Sequence, residues 1–126
     1  MPQTLRPVRR ALLLALPALG LAAPGAEAHA LVMASTPEAG SQLRAAPAAV
    51  ALRFNSRIDH GRSRLTLHGP DNSSLPLALA PETNAALVEA PLPTTLVAGA
   101  WRLRWQVLAV DGHITRGDIF FTILGR

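Results

Sequence analysis

Trp101-Arg102-Leu103-Arg104-Trp105-Gln106-Val107 is the stretch that decides the fold. Its odd positions are all apolar and its even positions are charged or polar. That is the period-2 alternation of a β-strand with one buried and one wet face. Working outward, Asp118 to Leu124 places Ile119, Phe121 and Ile123 on one face. Val50, Leu52 and Phe54 alternate with Ala51 and Arg53, and Leu65 and Leu67 with Arg64, Thr66 and His68. Shorter extended pieces are expected at Leu31 to Ser35, around Leu75, Leu77 and Leu79, and at Ala85 to Glu89. Pro76 confines its segment to a sheet edge or a loop, because it cannot donate to a ladder. Asn55 to Gly61 reads as a polar crossing. Thr36-Pro37-Glu38-Ala39-Gly40 and Gly69-Pro70-Asp71-Asn72 are turn signals, and Pro91 to Gly99 turns the chain again. After residue 28 no stretch sustains a 3.6-residue period. The expected fold is all-β, an antiparallel sandwich or barrel of short strands.

The first 28 residues read as a cleaved secretory signal peptide. Arg6, Arg9 and Arg10 form a positive start, Ala11 to Ala23 a nearly pure aliphatic run, and Ala26-Glu27-Ala28 a small-x-small cleavage pattern. The run is shorter than the roughly 20 residues that span a bilayer, so no membrane anchor is expected after cleavage. The residues around Arg9-Arg10 favour general secretion over twin-arginine export. The expected location is outside the cytoplasm, and the domain expected there is residues 29–126.

Over residues 29–126 there are nine arginines, no lysine and seven acidic residues, a net charge of +2. That is too small to argue for nucleic acid. Cysteine is absent, which excludes disulfides, thiolate metal sites and a cysteine nucleophile. About 100 residues are enough for one domain held by its own core.

Chemistry gathers at Val110-Asp111-Gly112-His113, between the two best strands. Asp111 and His113 stand two residues apart, and in extended backbone such residues point to one side. Gly112 adds no side chain and lets the chain bend. Cleavage after Ala28 makes His29 the first residue, with a free α-amino group that can chelate together with its own imidazole. His29, Asp111 and His113 then offer three nitrogens and one carboxylate oxygen. That donor set suits Cu(II), which also tops the divalent affinity series. The plain alternative is a frayed terminus beside an ordinary turn.

These features resemble the CopC family of periplasmic copper-binding proteins. The resemblance is carried by His29-Ala30 after the signal, the Pro37…Gly40 turn and the Val50-Ala51-Leu52-Arg53-Phe54 strand. Gly99-Ala100-Trp101-Arg102-Leu103-Arg104-Trp105 and Asp111-Gly112-His113…Gly117-Asp118-Ile119-Phe120-Phe121 complete it. It covers residues 29–126 and implies a seven-stranded antiparallel Greek-key β-sandwich, cupredoxin-like or immunoglobulin-like in shape. It also implies a Cu(II) site from the His29 amine and imidazole, Asp111 and His113. Some relatives add a methionine-rich Cu(I) site. Here Met33 is the one methionine beyond residue 28, so no Cu(I) site is expected. Other relatives are fused to a membrane permease, and here a permease partner resembling CopD is expected as a separate polypeptide.

Other residues receive plainer readings. His60, beside Asp59, is expected to face solvent or bond locally, and His68 to be exposed. Trp101 and Trp105 are expected to pack in the core, with Arg102 and Arg104 forming a solvated stripe opposite. No nucleophile motif or acid–base pair stands out. The function expected is a periplasmic Cu(II) carrier or buffer in copper homeostasis or resistance, and not an enzyme. A histidine-brace copper oxidase or monooxygenase is the alternative, disfavoured because Asp111 favours Cu(II) over Cu(I) and tyrosine is absent. A sandwich module for protein contacts, with incidental histidines, is the third class.

Overall fold

The alternation around Trp101 becomes the longest strand of a β-sandwich. The computed structural model describes residues 29–125, and the signal segment read at residues 1–28 lies outside them. The strands are β1 Val32–Thr36, β2 Ser41–Leu43, β3 Ala49–Phe54, β4 Ile58–His68, β5 Ser74–Leu77, β6 Leu87–Pro91, β7 Gly99–Ala109 and β8 Ile114–Ile123. They form a three-stranded sheet in the order β1-β3-β6 and a five-stranded sheet in the order β2-β8-β7-β4-β5. No helix occurs among the described residues.

Both sheets send their apolar alternates inward. Val50, Leu52, Phe54, Val88 and Ala90 come from the smaller sheet; Leu65, Leu67, Trp101, Leu103, Trp105, Val107, Ile119, Phe121 and Ile123 come from the larger one. No polar or charged residue is fully buried among the described residues, so the core is held by apolar burial, worth roughly 1.5–3 kcal/mol per large side chain. Trp105 lies opposite Gly117 across the β7–β8 ladder, and the Phe54 ring meets it edge-on at 5.3 Å. A Cβ on Gly117 would lie 2.7 Å from Trp105 Cε2. The indole occupies the space that any other residue would fill. Trp101 donates its indole N–H to the Val97 carbonyl at 2.9 Å, satisfying the polar end of a buried aromatic.

The strand layout departs from the sequence reading at three points. There are eight strands, not seven, because Ser41–Leu43 forms β2. Not every pairing is antiparallel, since β2 runs parallel to β8, with Ser41 beside Phe121 and Leu43 beside Ile123. The polar crossing is also shorter than expected, because Ile58 is buried and starts β4. Ser63 accommodates the bulge there, donating to the Asp59 carbonyl at 2.7 Å and accepting from Leu108 N–H at 3.1 Å. Pro76 sits in β5, at the edge of its sheet, where a missing N–H costs least.

Candidate metal centre

The β7–β8 connection is a tight turn. Ala109 N–H donates to the His113 carbonyl at 2.9 Å, and Gly112 N–H to the Ala109 carbonyl at 2.9 Å. Gly112 has φ of 91°, a left-handed conformation that glycine adopts without strain. Asp111 Oδ1 accepts the His113 backbone N–H at 3.1 Å. Asp111 and His113 therefore share a side because of this turn, not because the backbone is extended. His113 Nδ1 lies 3.4 Å from Asp111 Oδ1.

His29 arrives from the far end of the described chain. Ala30 is buried and fixes the entry. Leu31 N–H donates to Asn55 Oδ1 at 2.8 Å, and Asn55 N–H returns a bond to the Leu31 carbonyl at 3.0 Å. These contacts bring the His29 ring against His113, with centroids 6.0 Å apart and planes at 75°. Arg57, two residues after Asn55, accepts Val110 N–H on its carbonyl at 3.1 Å. One short connection, Asn55-Ser56-Arg57, thus holds both parts of the site. Sequence reading missed Asn55, whose signal was an amide residue directly after the half-buried strand that ends at Phe54.

The three predicted residues meet at one exposed end of the sandwich. Among the described residues no three His, Cys, Asp or Glu side chains converge tightly enough to hold an ion by themselves. One donor spacing nevertheless matches that of shared ligands. Two donors at ~2 Å from one ion lie about 2.8–4 Å apart, and the 3.4 Å between His113 Nδ1 and Asp111 Oδ1 falls inside that range. Imidazole and carboxylate donors suit a borderline metal such as copper or zinc.

The remaining histidines belong elsewhere. His60 is mostly buried between the sheets, with Nδ1 3.0 Å from the Ile58 carbonyl, Nε2 2.6 Å from the Leu87 carbonyl and Glu82 3.6 Å from Nδ1. An N–H on Nε2 donates across to Leu87 and ties β4 to β6, whereas one on Nδ1 donates within β4 to Ile58, so His60 is neither solvent-facing nor bonded only locally as the sequence suggested. His68 is half-buried at the opposite end of β4.

Comparison with known proteins agrees with this architecture. The CopC domain family matches residues 32–124. The chain belongs to the CopC family. It is 33% identical over 125 residues to Protein YobA of Escherichia coli K12, covering 98% of this chain and 99% of that one. The crystal structure of CopC from Methylosinus trichosporium OB3b superposes with a TM-score of 0.68, covering 76% of this chain and 94% of that one; at 22% identity this likeness speaks for the fold. PcoC, a methionine-rich copper resistance protein from Escherichia coli, is 29% identical with a TM-score of 0.58, covering 75% of this chain and 98% of that one. As a CopC-family protein the chain is a binding protein, not an enzyme. No helix among the described residues is long and apolar enough to cross a membrane.

Proposed function

We propose that this chain binds Cu(II) in the periplasm and carries or buffers it in copper homeostasis and resistance. The leader 1–28 is removed, and the amine and imidazole of His29 join the Asp111 carboxylate and the His113 imidazole around one ion. The observation that carries the reading is the meeting of His29 with His113 and Asp111 at one exposed end. Family membership and the copper resistance role of PcoC support it.

Each residue has a distinct task. His29 supplies a two-nitrogen chelate, held in place by Asn55. His113 supplies a third nitrogen, and Asp111 supplies charge that favours Cu(II) while its Oδ1 also fixes the turn. Copper, when bound, is cargo. An exposed site lets a second protein reach it, and the partner proposed is a separate, CopD-like membrane permease. Affinity falls in acid because protons compete for these donors.

The test is a Cu(II) titration read by EPR on protein beginning at His29 and on the same protein with one extra residue in front. One-to-one binding with a nitrogen-rich tetragonal signal in the first sample alone supports the amino-terminal site. Equal spectra from the two samples remove the amine from the ligand set.

A further inference from the structure

A second candidate site lies at the other end of β7, roughly 25–30 Å from the metal centre at about 3.3 Å per strand residue. A cavity of about 370 Å³ opens there, lined by His68, Asn72, Ser73, Trp101, Arg102 and Phe120 among others. That size is in the range of small-molecule pockets. His68, Arg102 and Phe120 are cross-strand neighbours in one row of the five-stranded sheet. The Gly69–Ser73 turn forms the lip, closed by Gly69 N–H donating to the Ser73 carbonyl at 3.0 Å. Asn72 holds φ of 61° there, a conformation that asparagine tolerates better than most residues.

Two features of this cavity are little used by the fold. Phe120 is 58% exposed, so its ring contributes little to the core. The Arg102 side chain makes no hydrogen bond among the described residues, and its one anionic neighbour there, Asp118 Oδ1, forms a long ion pair at 3.9 Å from Nε, beyond hydrogen-bond reach. Asn72 and Ser73 also line this space, although the Ser73 hydroxyl and backbone N–H are already held by the Asp71 carboxylate. The lining offers one imidazole and neither carboxylate nor sulfur, which is a poor metal set. A guanidinium fork beside a bare aromatic plate instead suits an oxyanion on a flat apolar body.

We propose that this cavity binds small aromatic oxyanions, carboxylates or phosphates, with the anionic group on Arg102 and the ring against Phe120. Asn72 and His68 add donors at the rim. Asp118 competes with the ligand for Arg102 and keeps the affinity low.

The experiment titrates the purified protein with benzoate, phenyl phosphate, acetate and inorganic phosphate, following backbone amide shifts and tryptophan fluorescence. Saturable changes confined to Gly69, Asn72, Ser73 and Trp101 are expected, with each aromatic anion about 10-fold tighter than its small parent. Phe120→Ala should abolish that preference, Arg102→Gln should weaken all four anions about 10-fold or more, and Asp118→Asn should tighten them about 3-fold. Non-saturating shifts spread over the arginines would overturn the proposal. So would unchanged binding in Arg102→Gln, or weakened binding in Asp118→Asn.

Discussion

The body and the tip of the β7–β8 hairpin are made to opposite standards. In the body, Trp105, Val107, Ile119 and Phe121 are buried, and Trp105 fills the space that Gly117 leaves open. At the tip, Asp111 and His113 are exposed, and Val110 and Ile114 on either side are exposed too. The tip is held by backbone hydrogen bonds and one carboxylate, not by packing. Side chains there are not needed for packing, whereas at Gly117 in the body an added Cβ would run into the Trp105 indole. Chemistry and stability are therefore separable within one hairpin.

That separation is most exposed to failure at His113. His113→Ala should cost more than about 100-fold in Cu(II) affinity, since even supporting residues of metal sites are worth 10–100-fold. Its melting temperature without metal should match wild type. A large fall in that temperature would show that the tip supports the fold after all. Gly117→Ala is the converse case. It should lose about 1–3 kcal/mol in urea unfolding, the range for overpacking a filled core, while the fraction still folded binds copper normally.

Asn55→Ala probes the link between the two regions. Removing its side-chain bond to Leu31 N–H should cost about 1 kcal/mol and, by loosening His29, about 10-fold in Cu(II) affinity. A change in stability with unaltered affinity would mean that His29 is positioned by other contacts. The smallest effect is expected at Asp71, away from both regions. The Ser73 hydroxyl and backbone N–H hold its carboxyl below the ordinary value of 3.8. Because the folded value is lowered, the stabilisation is present above that pH and disappears as pH falls through the folded value. Wild type should therefore melt slightly above Asp71→Asn at neutral pH, with the gap closing in acid.

What could be read beforehand follows the physics of each element. β3, β7, β8 and the second half of β4 announce themselves because one face is buried and the other wet, and side-chain polarity records that directly. β2 does not, because three residues cannot display a period and its partner lies at the far end of the chain. Ile58 was hidden inside a polar run, since a single buried residue next to a bulge carries no pattern. At the site, Asp111 and His113 were visible as residue types, but the left-handed turn at Gly112 that joins them was not. Asn55 left only a faint trace, an amide residue directly after β3, and the role of the Arg57 carbonyl left none, because a backbone acceptor has no residue type.

The meeting of His29 with His113 also bears on the unfolded chain. Most of the domain lies between these two residues, so an ion gripped by both would close a very long loop. A clasp of that length removes more freedom from the unfolded chain than a short one. In a domain without cysteine, the metal would take the part of a removable disulfide. An ion at 100 times its dissociation constant adds about 2.7 kcal/mol to stability. The loaded protein would resist heat and proteases better than the empty one, and giving up copper would also loosen the carrier.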